Sequence, residues 1–266
     1  MIREPAVAGS FYPSDPRAVS AALDRLMPPG PAAPARAVVV PHAGWTYSGS
    51  VAGETYAAVA VPRLVVLLGP NHTGLGGAGA TMRSGTWRYP GGSVPIASDL
   101  ADALLRASGN LQDDAAAHTR EHALEVQLPF LHRRQPALEI VPITVGRTDP
   151  GFCRAIGEAV GRVVAGWPEP VLVVASTDLN HYESQAVSER KDRLAIDAIL
   201  ALDAERLWRI VRQHDVSMCG IAPTQALLCA ASALGVHAAR LVRYQTSGAV
   251  SGDLARVVGY AGITLA

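Results

Sequence analysis

The stretch Leu64-Val-Val-Leu-Leu-Gly-Pro-Asn-His72 decides the fold class of this chain. Its five apolar residues run into a Gly-Pro breaker, a pattern typical of a strand buried on both faces rather than of an amphipathic helix. An Asn-His pair follows at once. The strand therefore delivers an imidazole at its carboxyl end, which is the edge where sites assemble in open α/β sheets.

Two further segments repeat this arrangement of an apolar strand followed by polar side chains. Residues 37–40 run into Pro-His42, and residues 171–175 run into a polar segment that contains Asp178 and His181. Segments with helical spacing separate the strands, and such alternation indicates parallel strands joined by right-handed crossovers. We therefore predict an α/β protein with three α/β/α layers and a mixed, mostly parallel central sheet.

The composition is typical of a globular protein with a large core. Hydrophobic residues make up 49% of the 266 residues and charged residues 17%, so we predict a single folded domain over residues 1–266. The formal net charge is zero, with no basic block, and we expect no nucleic-acid partner. No apolar run approaches the roughly 20 residues of a membrane span, and no signal peptide is recognisable. With only three scattered cysteines, we expect a cytoplasmic protein without a membrane partner.

His42 and His72 are the first candidate site residues because each follows a predicted strand. A single histidine of this kind is more often a hydrogen-bonded structural residue. Two imidazoles at the ends of neighbouring parallel strands, however, favour a shared site at one edge of the sheet. Both interpretations stay open at this point.

Asp178 and His181 form a second candidate pair, three residues apart. An Asp that is hydrogen-bonded to a His ring fixes its tautomer, either for metal binding or for general base catalysis. The alternative is that residues 176–178 only cap the helix that follows.

The segment 120–133 is predicted to be a helix that is kinked or interrupted at Pro129. His122 and Glu125 then share one helix face, with Glu121 on another. A carboxylate on that face could relay protons in a site. An exposed ion pair with a neighbouring arginine explains it nearly as well.

Cys219 is the third kind of candidate, because it precedes an apolar helix. A thiol near a helix N-terminus has a lowered pKa and is a better ligand or nucleophile, although a free cysteine is usually a small buried hydrophobe. Cys153 and Cys229 lie in helical patterns and are assigned to the core. No CxxC, HExxH, P-loop or GxSxG motif supports a zinc-finger, NTPase or serine-hydrolase function.

Together these motifs resemble the Memo family, which includes the microbial proteins called protein B of the AmmeMemoRadiSam system. The resemblance covers almost the whole chain, and its motifs occur in this order: AGSFYP at 8–13, VPHAGWTYSG at 40–49, LGPNH at 68–72, EHALEVQLPF at 121–130, STDLNH at 176–181 and CGIAP at 219–223.

The resemblance implies a fold similar to class III extradiol ring-cleaving dioxygenases and a pocket that holds iron or copper. The matching ligands are His42, His72 and Cys219. The same resemblance implies that the pocket is lined by four further side chains with catalytic roles, namely Asp178, His181, His122 and Glu125.

The chain departs from those dioxygenases at the third ligand, where Cys219 replaces a carboxylate. A thiolate is softer and favours Cu(I), Zn or a differently tuned Fe, so dioxygenase activity does not carry over with the fold. Phe11 also stands where the animal members, which are linked to phosphopeptide binding, have tryptophan.

Three functions stay open at the level of sequence. The first is a metal-dependent redox enzyme or dioxygenase-like protein, with Fe(II) or Cu and with Zn as a further candidate, acting on an unknown small molecule. The second is a non-catalytic metal-handling or peptide-binding protein that works with radical-SAM and AMMECR1-type partners. The third is metal-free hydrolysis or transfer, with Cys219 as nucleophile and His181 as base.

Overall fold

The computed structural model describes residues 1–266 as an α/β fold with two sheets and nine α-helices. The strands are β1 (Ile2–Arg3), β2 (Ala37–Val40), β3 (Leu64–Pro70), β4 (Gly79–Thr81), β5 (Thr86–Tyr89), β6 (Gly92–Pro95), β7 (Gln112–Asp113), β8 (Glu139–Val145), β9 (Val171–Ser176), β10 (His181–Glu183), β11 (Ala239–Thr246) and β12 (Val257–Leu265). The helices are α1 (Pro16–Leu26), α2 (Trp45–Ala57), α3 (Ser98–Ala107), α4 (Leu128–Arg134), α5 (Pro150–Ala165), α6 (Gln185–Leu200), α7 (Ala204–Gln213), α8 (Ile221–Ala230) and α9 (Gly248–Ser251).

The main sheet is mixed, and its centre is parallel, as the sequence predicts. Strands β2, β9, β3 and β8 run parallel in that order, while β12 and β4 flank them antiparallel. All residues of β2, β3 and β9 are buried, which explains why these segments are continuously apolar rather than alternating. One expectation is wrong: β2 and β3 are not neighbours, because β9 lies between them.

Helices cover the two faces of the main sheet. An added Cβ at Gly262 of β12 would meet Thr55 of α2, whereas one at Gly259 would meet Asp192 of α6. Since side chains alternate across a strand, α2 and α6 pack on opposite faces. Helices α1 and α4 pack with α2, and α7, α8 and α5 form a connected group with α6. The predicted α/β architecture with helices on both sides of a mixed sheet is therefore observed.

Local sequence signals account for the first helix. Asp15 is its N-cap and accepts a hydrogen bond from the Ala18 N–H at 2.9 Å, and Pro16 occupies the first turn, where its missing N–H is not needed. Val19 and Leu23 then fall on the buried side. None of the nine helices combines the length and the apolar character that a membrane span requires.

The predicted helix over residues 120–133 is mostly absent. Residues 125–127 form a 3₁₀ turn, and the α-helix begins only at Leu128, with Pro129 in its first turn. Proline at this position lacks only an N–H that would be unpaired anyway, so it starts the helix instead of kinking it. His122 and Glu125 therefore do not share a helix face.

Candidate metal centre

Three parallel strands bring the candidate side chains to one edge of the main sheet. His42 follows β2, Asp178 follows β9 and His72 follows β3, in the spatial order of these strands. Cys219 reaches the same edge from the residue before the cap of α8. One ligand atom from each of His42, His72 and Cys219 lies within 4.8 Å of the others. The structure thus brings together side chains that are far apart in the sequence.

His42 is held in one tautomer by Ser176. The Ser176 hydroxyl donates to the Ala123 carbonyl at 2.8 Å, so it accepts a hydrogen bond from His42 Nδ1–H at 2.9 Å. The lone pair of His42 is therefore on Nε2, which lies 3.1 Å from Cys219 Sγ. Burial lowers the pKa of His42 to about 3, which keeps the ring in the neutral form that a metal needs.

His72 is oriented by Glu121, a residue whose role the sequence does not reveal. The two oxygens of Glu121 accept from His72 Nδ1 at 2.9 Å and from the His72 backbone N–H at 2.6 Å, and the Ala123 N–H donates to it at 3.0 Å. Burial favours a raised pKa for Glu121, but the hydrogen bonds from His72 outweigh it and lower the pKa to about 2. A permanently ionised carboxylate behind a histidine is typical of metal-binding imidazoles.

Glu125 does not face the pocket. It is fully buried in an ion pair with Arg3, and it also accepts from the Ala6 N–H at 2.8 Å, the Val7 N–H at 3.1 Å and the Tyr12 hydroxyl at 2.9 Å. These four donors come from the N-terminal segment. Glu125 therefore anchors that segment to the core. It does not line the cavity and is not in position to act as the proton relay that the sequence predicts.

His122 does line the pocket. Its ring stacks on His72 with centroids 4.6 Å apart, and it contacts Phe11 at 4.6 Å and the edge of His42 at 5.4 Å. The nearest carboxylate oxygen, on Glu121, lies 3.4 Å from His122 Nδ1, and no hydrogen bond to either ring nitrogen is formed. Burial lowers the pKa of His122 to about 4. It is a neutral imidazole with unpaired nitrogens beside the ligand set.

Asp178 and His181 both line the pocket but do not form the predicted orienting pair. Asp178 Oδ1 accepts from the backbone N–H groups of His42 at 2.8 Å and Ala43 at 3.3 Å, so it fixes the loop after β2. His181 Nδ1 instead donates to the Ser217 carbonyl at 2.8 Å. The helix-capping alternative is also wrong, because strand β10 intervenes before the next helix begins at Gln185.

Burial keeps the side chain of Cys219 in the thiol form. Its sulfur accepts a hydrogen bond from the Asp178 N–H at 3.3 Å. Burial, together with the nearby Asp178 carboxylate, raises the pKa of the thiol far above its usual value, opposite to the lowering expected from a helix N-terminus. The protonated thiol reacts slowly. A cation beside the sulfur would stabilise the thiolate.

The ligand side chains line one side of a cavity of about 680 Å³. The rest of the wall comes from several elements, among them the segment before α1, α2, β10, β12 and the connection between β11 and β12. Tyr182 at the mouth has a positive φ of 62°, a strained conformation for a residue with a side chain, and the Arg256 guanidinium lies 5.5 Å from its ring. This wall consists mainly of Phe11, Tyr47, Tyr182, Ser247, Arg256 and Tyr260.

Asp192 of α6 supports the loop that carries Asp178 and His181. Its fully buried carboxyl accepts from the Asn180 backbone N–H at 2.8 Å and from the Tyr244 hydroxyl at 2.7 Å. Burial raises the pKa of Asp192 from 3.8 to about 7. The folded state therefore retains a proton that the unfolded chain releases, and stability is lost as pH rises from about 4 through 7.

We expect an Asp192→Asn variant to gain stability relative to the unchanged protein as pH rises. The difference in unfolding free energy should grow by on the order of 2–4 kcal/mol between pH 4 and pH 8, because the amide never ionises. Urea unfolding at four pH values measures it. Asp197→Asn, at a partly exposed position of the same helix, is the control for loss of a carboxylate. A difference that stays constant with pH would contradict the assignment.

Comparison with known proteins shows the family to which this chain is similar. A family model described as Memo-like protein matches residues 3–264. A MEMO1 family protein of Methanopyrus kandleri is 44% identical over 99% of this chain and 98% of its own length. A MEMO1 family protein of Thermotoga neapolitana is 39% identical, with 98% of both chains covered.

A solved structure shares the fold at much lower sequence similarity. The crystal structure of an uncharacterized protein from Escherichia coli K12 superposes with a TM-score of 0.56 and 14% identity, covering 84% of this chain and 98% of that one. At this identity the likeness supports the architecture and carries no information on activity.

Proposed function

Because the chain belongs to the Memo-like protein family, we propose that His42, His72 and Cys219 hold one iron or copper ion for metal-dependent redox chemistry on a small molecule in the cavity. The observation that carries this proposal is the convergence of two imidazoles and one sulfur, each positioned by other residues. Ser176 and Glu121 fix the two rings, and such outer hydrogen bonds are a regular feature of metal-binding histidines.

The donor set fits such an ion chemically. Imidazole nitrogen suits Fe, Cu and Zn, and a thiolate favours Cu(I), Zn or Fe. Three protein ligands at the edge of an open cavity leave coordination positions for another molecule. When bound, a redox-active ion supplies single-electron transfer and Lewis-acid activation at this position.

The remaining pocket residues support the same chemistry without being ligands. His122 is a neutral imidazole in stacking contact with His72, and whichever of its nitrogens carries the lone pair can accept a proton from a substrate hydroxyl. His181 is a second candidate for this role, because its Nδ1–H donates to the Ser217 carbonyl at 2.8 Å and its lone pair is therefore free on Nε2. Phe11 packs against the His122 ring in the wall of the cavity.

The proposal is tested by the iron and copper content of protein purified without added metal. We expect His72→Ala and Cys219→Ala to lose bound metal, because each removes one of three ligands. Glu121→Gln should weaken binding by roughly 10- to 100-fold, because it removes the negative charge behind His72 while leaving all ligands in place.

A matched control for the loss of an imidazole is His132→Ala. This residue contacts Tyr89 outside the pocket and should leave metal content unchanged. Unaltered metal content in both His72→Ala and Cys219→Ala would reject the proposed ligand set.

A second candidate is a non-catalytic metal-handling protein, favoured by the openness of the centre. The His72 side chain is 33% exposed, so a partner could reach the ion directly. Radical-SAM and AMMECR1-type proteins are the proposed partners. Pull-down with these proteins, compared between the unchanged chain and His72→Ala, tests this role, whereas turnover of a small molecule that stops on metal removal supports the enzyme.

A further inference from the structure

The first part of β12 lines the cavity with alternate side chains. Arg256, Val258 and Tyr260 all border the cavity, whereas a Cβ at Gly259 would point the other way, to Asp192 of α6. This is the alternation of a β-strand, in which every second side chain lies on the same face. The three side chains therefore form one surface, the β12 wall, with an exposed cation at one end and a buried tyrosine at the other.

The hydroxyl of Tyr260 is available to a ligand. The residue is only 2% exposed and lines the cavity. Ser247 lies beside it, but no hydrogen bond of normal length and angle joins the two hydroxyls, and the Ser247 oxygen instead accepts from the Val258 N–H at 3.0 Å. Burial and the nearby Asp178 carboxylate raise the pKa of Tyr260 well above its usual value. The group therefore stays protonated and can donate to a ligand oxygen.

The backbone holds this part of β12 in place from both sides. On one side, the Gly259 N–H donates to the Asn180 carbonyl at 3.0 Å, and the Gly259 carbonyl accepts from the Leu179 N–H at 2.8 Å. On the other side, Tyr260 pairs with Gln245 of β11. A donor that is fixed before binding loses little conformational freedom when a ligand arrives, so its hydrogen bond contributes more fully to affinity.

Arg256 supplies the only guanidinium or ammonium group among the residues that line the cavity. It forms no ion pair with a carboxylate, and its guanidinium lies 5.5 Å from the centre of the Tyr182 ring. Asp253 also borders the cavity, but it is exposed, and its Oδ1 accepts from the Ala255 N–H at 2.8 Å. A guanidinium that is held by an aromatic ring rather than by a carboxylate keeps its charge and its N–H groups for a ligand.

From this arrangement we propose that the β12 wall binds a flat organic carboxylate, with its anionic group on Arg256 and a second oxygen on the Tyr260 hydroxyl. A single arginine matches the two oxygens of a carboxylate, whereas a phosphate dianion calls for further cations that the cavity does not offer. Three of the seven tyrosines of the chain line the cavity and favour a flat, apolar body. The inference rests on the proposed function in one respect, since this ligand would be the small molecule beside the metal centre.

The test is a ligand-observed NMR titration with 4-hydroxybenzoate, which carries a carboxylate and a second oxygen on a flat ring. We expect saturable binding with a dissociation constant in the millimolar range, which about ten non-hydrogen atoms support. Its neutral analogue 4-hydroxybenzamide should bind roughly tenfold or more weakly, and benzoate, which lacks the second oxygen, roughly two- to tenfold more weakly. Phenyl phosphate should bind more weakly than benzoate. Removal of metal with a chelator should leave these affinities unchanged, because neither contact involves the ion.

Two variants assign the contacts to their residues. In Arg256→Gln the preference for 4-hydroxybenzoate over its amide should disappear, and in Tyr260→Phe the preference over benzoate should disappear while that over the amide remains. Both variants should keep the metal content of the unchanged protein. The matched controls are Arg240→Gln, at an exposed position of β11 outside the cavity, and Tyr89→Phe, whose hydroxyl contacts His132; both should bind the probes as the unchanged protein does.

The carboxylate site is overturned by an absence of saturable binding, by equal binding of the acid and its amide, or by a preference that survives Arg256→Gln. Tighter binding of phenyl phosphate than of benzoate would also overturn it, in favour of a phosphate ligand. A benzoate preference that persists in Tyr260→Phe would remove Tyr260 from the site. Loss of binding on metal removal would show that the ion, and not the β12 wall, holds the probe. The proposed function fails on a different result, namely unaltered metal content in His72→Ala and Cys219→Ala.

Discussion

Replacing Glu125 by alanine is expected to lower the free energy of unfolding by about 3–5 kcal/mol, the usual effect of breaking a buried ion pair. The Arg3 guanidinium would be left 5% exposed without its counter-charge, and three other donors would lose their acceptor: the Ala6 and Val7 N–H groups and the Tyr12 hydroxyl. Urea unfolding at pH 7 measures the change.

Graded variants separate the ion pair from its hydrogen bonds. Tyr12→Phe removes a single hydrogen bond and should cost about 1–3 kcal/mol, less than Glu125→Ala. Glu205→Ala breaks an exposed pair with Arg154 and should cost less than about 1 kcal/mol. If Glu125→Ala cost no more than Glu205→Ala, the anchoring role of Glu125 would be wrong.

This anchor also reaches the pocket through the N-terminal segment. Phe11 lies between the anchored residues Val7 and Tyr12, and its ring contacts His122 at 4.6 Å. A Glu125 variant that still folds should therefore raise the exposure of the His122 side chain above its present 20%. Glu125 thus influences the site by positioning Phe11, without touching a ligand.

Gly220→Ala is expected to disrupt the metal centre while leaving all proposed ligands in the chain. An added Cβ would lie 2.3 Å from Thr177 Cβ and 2.5 Å from the Ser176 carbonyl oxygen, both at the end of β9. Backbone cannot yield as a flexible side chain does, so helix α8 must move away from the strand. Such overpacking costs about 1–3 kcal/mol in stability. Cys219 would move with the helix, away from His42.

Metal affinity is the decisive measurement, because ligand positions tolerate displacements of only about 0.2 Å. We expect Gly220→Ala to bind Co²⁺ at least roughly tenfold more weakly than the unchanged protein, with a weaker sulfur-to-cobalt band. Gly30→Ala is the control, since a Cβ there meets nothing within 4 Å. Unchanged affinity in Gly220→Ala would show that the close contact of α8 with β9 does not set the position of Cys219.

Some residues of the pocket have no recognisable pattern in the sequence. Glu121 follows no strand and lies in no metal-binding spacing, and only the path of the chain after the 3₁₀ turn at Ala115–His118 brings it to His72. The wall formed by Ser247, Arg256 and Tyr260 has no local signature either. The one signal for Glu121 in the sequence is its position directly before the candidate His122.

The sequence by itself determined the buried parallel strands at the centre of the sheet, the α/β class and the strand ends at which His42, Asp178 and His72 lie. Burial of a parallel strand requires a continuous apolar run, and the edge of the sheet follows from chain direction. Only the tertiary structure decided that β9 separates β2 from β3, that Glu121 rather than Glu125 supports a histidine, and that Cys219 meets His42. Strand order and side-chain partners depend on packing between distant segments, and local hydrophobic patterns carry no information about which distant segment a residue will face.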